Sequence, residues 1–431
     1  MHNPAFDKAR AQTLRGFYEN ELTNNILYFW DDRCVDDVYG GFFNCYDNRG
    51  ERLISHDKYT WSQGRFVWLW AKLADMQGST FSQAQRKVFS RRAVDGTAFI
   101  MRHCLLGPED WRCAFLLDRG GTPKPVPAWG DRLDLSIYAD GFAVLGLARS
   151  ARLTGDKRTY AFAKKLFLSM RDRQKSGDFL TAPYPIKPGC RAHGLPMGQI
   201  HIANEMLYAA CAFDDAWADE VTAMLKANVD EVLNDFVDDD GRLREFIAAD
   251  GSQLTTLLGQ HMNPGHIIED VWFLLDAAET LHESAYVPRI TAIAKQALAL
   301  GWDDEFGGLL HFCGMNGGQP THPVGEDADE PMTRLVQRSW GDKLWWVHSE
   351  ALYATLRLYA STQDDWFLAW HDKLFDYTFD KHPNPNREVR EWIQILDRQG
   401  NPDDKVVALP VKDPYHIVRN LALIIELLSA R

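Results

Sequence analysis

The chain has 431 residues, of which 45% are hydrophobic and 25% charged, and 47 Lys+Arg stand against 60 Asp+Glu for a formal charge of −13. This composition belongs to a globular protein able to bury a large core, and it excludes disordered and fibrous classes. The negative field argues against nucleic acid and against an anionic membrane surface as partners.

Seven cysteines, at positions 34, 45, 104, 113, 190, 211 and 313, are odd in number and form no CxxC pair. That argues against a disulfide framework and a cysteine zinc site and fits a reducing compartment. Met1-His2-Asn3-Pro4 opens without a basic stretch leading into an apolar one, and the apolar run Leu421 to Ser429 is interrupted by Glu426. A cytoplasmic protein without a membrane anchor is expected.

One kind of segment recurs along the chain: a short apolar or aromatic stretch with Gly or Asp before it and a polar Gly turn after it. The copies begin at Gly40-Gly41-Phe42-Phe43, at Trp111 to Phe115, at a weaker Gly177-Asp178-Phe179-Leu180, at Gly241-Arg242-Leu243, at Gly307-Gly308-Leu309-Leu310 and at Glu391-Trp392-Ile393. Markers at 42, 112, 178, 243, 309 and 392 give intervals of 70, 66, 65, 66 and 83 residues. Each copy predicts a short β-hairpin, because alternating apolar residues flank a turn that can take positive φ. Between them lie helical patterns such as Leu133-Ile137-Tyr138 with Phe142, Ile267-Val271-Leu274 and Leu352-Leu356-Tyr359. Each interval holds two helices and a hairpin, so about twelve helices are predicted. Six helical hairpins closing into a ring make an all-α (α/α)6 barrel, one domain over residues 1–431, with the β-hairpins at one end; an open solenoid is the alternative. The stretched last interval contains Cys313 to Arg334, which predicts a long loop over one end.

In chain order, Lys58 to Trp68 predicts a helix on which Trp61, Arg65 and Trp68 share a face. An arginine between tryptophans can polarise a carbonyl or hydroxyl oxygen, or equally stack within an aromatic core. Tyr138 in Tyr138-Ala139-Asp140-Gly141-Phe142 and His201 in Gln199-Ile200-His201 are softer candidates. At Asn263-Pro264-Gly265-His266, a helix start places His266 and Glu269 one turn apart on one face. A carboxylate there can hold the imidazole in the tautomer a general base needs, or the pair can simply cap the helix. Lys343-Leu344-Trp345-Trp346 runs into His348-Ser349-Glu350, a mixture of aromatic faces and hydrogen-bonding groups that suits a sugar ring, although tandem tryptophans alone would be core. His416 follows Pro414 and opens the last apolar helix, whose N-terminus favours a neutral, base-competent imidazole.

No GxxxxGK[ST], no GxGxxG after a strand and no HExxH is present, so a nucleoside triphosphate, dinucleotide or zinc protease site has no sequence warrant. The acidic runs Asp31-Asp32, Asp238-Asp239-Asp240 and Glu326 to Glu330 read as solvated turns, and no metal is assigned.

Trp61-Ser62-Gln63-Gly64-Arg65, Asn263-Pro264-Gly265-His266 with Glu269, Lys343-Leu344-Trp345-Trp346 with Ser349-Glu350-Ala351, and Tyr415-His416 with Arg419 resemble, in this order, the signature segments of the N-acylglucosamine 2-epimerase family. The likeness runs from about residue 15 to 425. It implies an (α/α)6 barrel shared with cellobiose 2-epimerases and mannose or sulfoquinovose isomerases. It also implies His266 and His416 as the acid/base pair, Glu269 as the orienting carboxylate and Arg65 as the oxygen-polarising group. Trp61, Tyr138, His201, Lys343, Trp346 and Glu350 become the substrate contacts, although Asn204 stands near His201 where the family often has a carboxylate. Trp345-Trp346 followed by His348-Ser349-Glu350 looks closer to the N-acylglucosamine epimerases than to the isomerases or disaccharide epimerases, which often carry Gln-Ala-Glu there.

The implied reaction interconverts N-acetyl-D-glucosamine and N-acetyl-D-mannosamine by C2 proton transfer, with a small sugar as partner and no cofactor in the chemistry. A nucleotide activator that is not consumed and a homodimer are open expectations of the resemblance. Alternatives are an aldose-ketose isomerase or a cellobiose 2-epimerase on the same fold. More distant ones are an inverting glycoside hydrolase, which needs two carboxylates roughly 6.5–9.5 Å apart, and a non-catalytic protein-binding barrel. Arg65, His266, Glu269, Trp346 and His416 are expected to converge on one pocket inside the ring.

Overall fold

A computed structural model describes residues 6–430, so the opening Met1-His2-Asn3-Pro4 lies outside the described residues. Six helices form an inner ring: Thr60–Asp75, Ile137–Thr154, Gly194–Ala212, Pro264–Thr280, Trp345–Thr362 and Tyr415–Ser429. Each packs on the next and the last packs on the first, which closes the ring. The inner helices are apolar nearly all round. Ile137–Thr154, for example, buries twelve of its residues, as a helix enclosed on every side must.

Five outer helices follow their inner partners directly: Gln83–His103, Lys157–Ser176, residues 218–236, Val287–Gly301 and Asp365–Lys381. The sixth hairpin joins the two ends of the chain, because the helix over residues 8–33, with a π turn at Glu21–Ile26, packs on Tyr415–Ser429. The architecture is the (α/α)6 barrel. Between the first two inner helices the backbones meet: a Cβ on Gly64 would come within 2.1 Å of the Phe142 carbonyl oxygen. Only glycine permits that approach.

The recurrent turns lie between each outer helix and the next inner one, so they gather at the N-terminal end of the inner ring. Their strands depart from the expectation of local hairpins. Within a unit the pairing is by one or two isolated bridges, such as Val35 with Phe42 and Tyr46 with Leu53, or Trp302 with Leu309. The two- and three-residue ladders instead join neighbouring units, pairing Lys58 with Leu117 and Lys343 with Leu396. The weak copy at Gly177–Leu180 forms no bridge within its own turn; Thr181 beside it pairs with Ser136. Residues 313–334, read as a loop, begin with the strand Cys313–Gly314 and end inside an amphipathic helix, Pro331–Ser339, that starts on a proline. Among the described residues no helix is long and apolar enough to cross a membrane.

Candidate active site

A cavity of about 190 Å³ opens at the N-terminal end of the inner ring, and its walls include Trp61, Arg65, Tyr138, His201, His266, Glu269, Trp346 and His416. Asn263 caps the helix Pro264–Thr280 by accepting from the His266 backbone N–H at 3.2 Å, which fixes His266 in the first turn. A Cβ on Gly265 would lie 2.5 Å from Cη2 of Trp346, so glycine there lets the indole lie over the helix start. The Trp346 ring is 5.7 Å from the His266 ring and 5.1 Å from the His416 ring.

Nδ1 of His266 meets Oε1 of Glu245 at 2.8 Å. The carboxylate can only accept, so Nδ1 carries a proton and, in the neutral ring, Nε2 keeps its lone pair. This corrects the expected pairing with Glu269. One turn further along, Glu269 accepts instead from Nη2 of Arg419 at 2.5 Å and lies 3.5 Å from Nδ1 of His416. Burial alone would push the Glu245 carboxyl up, but His266 and His193 hold it below the usual carboxylate range.

His416 shows the same arrangement with other partners: its Nδ1 donates to Oε1 of Glu350 at 2.7 Å. Burial lowers its pKa to about 3, with Glu269 opposing and Arg65 and Arg419 reinforcing. It is therefore a neutral imidazole near pH 7, the form that a general base needs. The Arg65 guanidinium reaches Nε2 of His416 at 3.4 Å across 351 residues and donates to Asp413 at 3.1 Å. It stacks within 4.1 to 5.0 Å of Phe142, Tyr415 and Trp61, as the aromatic reading expects, while its side chain also lines the cavity. Trp68, placed on the same face by the sequence, lies below the cavity and donates to Glu205.

Two of the six expected substrate contacts do not reach the cavity. Lys343 is fully buried and its Nζ donates to Asp303 at 2.9 Å and to the Gly307 carbonyl at 2.7 Å. Lys58, at the same place in the first unit, makes the same contacts with Asp36 and the Gly40 carbonyl. Arg398 and Arg119 complete the two clusters, so this lysine clamps a turn of the repeat. Glu350, with no exposed surface, bonds His416, Arg419 and the Trp272 indole N–H; it holds the His416 ring from behind and does not line the cavity. His201 does line the cavity, with Nε2 3.1 Å from the Tyr415 hydroxyl and its ring stacked on Phe273 at 4.4 Å.

Sequence reasoning missed Glu245, His193, Asp270 and the role of Arg419. Glu245 falls two residues after the Leu243 marker, where only a hairpin was sought. Arg419 follows His416 by three residues, one helical turn, and that spacing was a usable signal. Glu269, Glu350 and His416 bring donor atoms within 4.8 Å of one another. Arg419 supplies the cation between the two carboxylates, so the residues themselves compensate the charge a metal would balance.

The model of the N-acylglucosamine 2-epimerase (GlcNAc 2-epimerase) family matches residues 41–420. The chain belongs to this family. It is an enzyme of the carbohydrate epimerase class. An N-acylglucosamine 2-epimerase of Bos taurus is 29% identical over 97% of this chain and 92% of its own length. Among solved structures, the cellobiose 2-epimerase of Spirochaeta thermophila DSM 6192 superposes with a TM-score of 0.74 at 17% identity over 99% of each chain. A D-mannose isomerase gives 0.72 at 18% over the whole of both chains. These two show the shared barrel.

Proposed function

We propose that the protein interconverts N-acetyl-D-glucosamine and N-acetyl-D-mannosamine by moving the proton at C2 between two histidines. The observation that carries this reading is the pair His266 and His416 in one cavity, each with Nδ1 on a carboxylate and Nε2 left as the base. After ring opening, one Nε2 takes the C2 proton and the C1 carbonyl becomes an enolate, whose oxygen charge Arg65 would stabilise. The other imidazole, carrying a proton taken from solvent at Nε2, gives it to the opposite face of C2, which inverts it, and the first then releases its proton to solvent to reset the pair. Atoms and electrons balance without a redox partner.

The substrate assignment follows the full-length relative at 29% identity. Delivery of the second proton to C1 instead would make the same site an aldose-ketose isomerase. An inverting hydrolase needs one protonated carboxyl across the cavity; Glu245 is held ionised by its histidines and Glu269 is bonded to Arg419. We take the closed ring to act as one catalytic domain, in the cytoplasm, where its seven free cysteines would stay reduced. A homodimer and nucleotide activation are proposals of the family resemblance, checked by light scattering and by assay with and without added nucleotide.

The test is proton NMR of N-acetylglucosamine, N-acetylmannosamine, mannose and cellobiose incubated with the protein in D2O. Interconversion of the two N-acetylhexosamines with deuterium entering C2 is expected. Turnover of mannose to a ketose, with the N-acetylhexosamines untouched, would replace this reading with the isomerase.

A further inference from the structure

Behind Glu245, out of the cavity, stands another histidine. His193 is fully buried, immediately precedes the inner helix Gly194–Ala212, and its backbone N–H donates to the Glu245 carbonyl at 3.0 Å. Its Nε2 lies 2.8 Å from Oδ2 of Asp270, and its Nδ1 lies 3.8 Å from Oε2 of Glu245. That Nδ1 and that Oε2 are both buried without a hydrogen-bond partner. The other Glu245 oxygen meets His266 at 2.8 Å. Asp270, His193, Glu245 and His266 thus form a line that ends at the cavity, and its first two members do not line the cavity wall.

We propose that His193, held as an imidazolium by Asp270, is a positioning residue that keeps Glu245 ionised and aimed at Nδ1 of His266. The proposal rests on reading His266 as a base. A buried cation between two buried carboxylates neutralises most of a charge that neither could carry alone. At 3.8 Å the contact with Glu245 is too long for a hydrogen bond but well within Coulomb reach. Burial opposes charge on His193, yet Asp270 and Glu245 outweigh it and raise its pKa to about 9. The other titratable groups acting on this line are Tyr138, Tyr184 and His261 near Glu245, Glu269 near Asp270 and His311 near His266; Phe236 covers the His193 ring.

The test compares wild type with His193→Gln, Asp270→Asn and the double variant. Each single change should lower kcat about tenfold while KM moves less than about twofold, since neither residue touches substrate. Loss of the cation behind Glu245 leaves a more negative potential at His266, so the acidic limb of kcat/KM should move to higher pH in both. The double variant should lose no more than the worse single, because the pair acts as a unit. Losses that multiply in the double, or a fall in kcat without movement of the acidic limb, would overturn the proposal.

A second readout needs no turnover. Histidine 15N NMR of the wild-type protein should show one buried imidazole still doubly protonated at about pH 8, and Asp270→Asn or His193→Gln should remove it. Buried histidines that are all neutral at that pH in wild type would overturn the proposal even if both variants fail to fold. If wild type leaves both N-acetylhexosamines unchanged, the proposed substrate is wrong, and the NMR titration still decides the role of His193.

Discussion

His266 and His416 stand 150 positions apart in the chain, yet both rings pack against the indole of Trp346, at 5.7 and 5.1 Å. Each is fixed through Nδ1 by a carboxylate from a different unit of the repeat, Glu245 for one and Glu350 for the other. Two bases held by separate partners can keep fixed sides of one substrate carbon, which is what inversion requires.

The carboxylate Glu350 should matter for rate and little for binding. Glu350→Gln leaves the shape but weakens the hold on Nδ1 of His416 and unbalances Arg419, so kcat should fall about 10- to 100-fold with KM nearly unchanged. Glu269→Gln, on the cavity wall, should alter both kcat and KM. Steady-state kinetics of the two variants check the contrast, and a large KM effect from Glu350→Gln would return it to the substrate contacts.

Lys343 is expected to act on stability alone. Removing one partner of a buried ion pair typically costs about 3–5 kcal/mol, and Lys343→Met would strip the cation from Asp303 and two turn carbonyls. The melting temperature should fall markedly, with KM of the folded fraction unchanged, and Lys58→Met should behave alike. Calorimetry and kinetics on both variants test this.

The ring was legible in the sequence because the repeat spacing and the apolar inner helices are periodic signals that packing obeys. The members of the cavity were legible where a helix start marks them, as at Asn263-Pro264-Gly265-His266. Their partners were not. Glu245 reaches His266 from 21 residues away and Glu350 reaches His416 from 66, and such pairings depend on how units dock, which no local pattern encodes. Lys343 was misread for the opposite reason: it lies beside the tryptophans in sequence, but the strand Lys343–Leu344 turns alternate side chains to opposite faces, and Lys58 in the first unit was the available clue.

Stability should fall on acidification below about pH 6.5. Burial, with neighbouring charges, lowers His201, His311 and His416 to about 3, and burial lowers His382 to about 4. Unfolded histidines take protons below about 6.5, so the stability tied to these four is full above that pH and is lost as pH falls toward 3 to 4. Each contributes up to about 1.4 kcal/mol per pH unit in that window, partly offset by Asp140, Asp276 and Asp342, whose burial raises them to about 6. His193, raised to about 9, has the opposite sign: its contribution is full below about 6.5 and is lost as pH rises through 9. Calorimetry at constant ionic strength should show the melting temperature falling as pH drops below about 6.5, and on the alkaline side the wild type should lose stability relative to His193→Gln between about pH 6.5 and 9. A flat profile between about pH 6.5 and 4 would contradict the buried neutral histidines.

The central claim is that His266 and His416 serve opposite faces of one enolate, and C2 proton exchange in D2O tests it most directly. His266→Ala and His416→Ala should each reduce epimerisation by about 10²–10⁴-fold while remaining folded. Each should retain slow deuterium exchange from one epimer through the histidine it still has, and the epimer should differ between the two variants. Exchange lost from the same epimer in both, or wild-type product carrying no deuterium at C2, would contradict the two-base site.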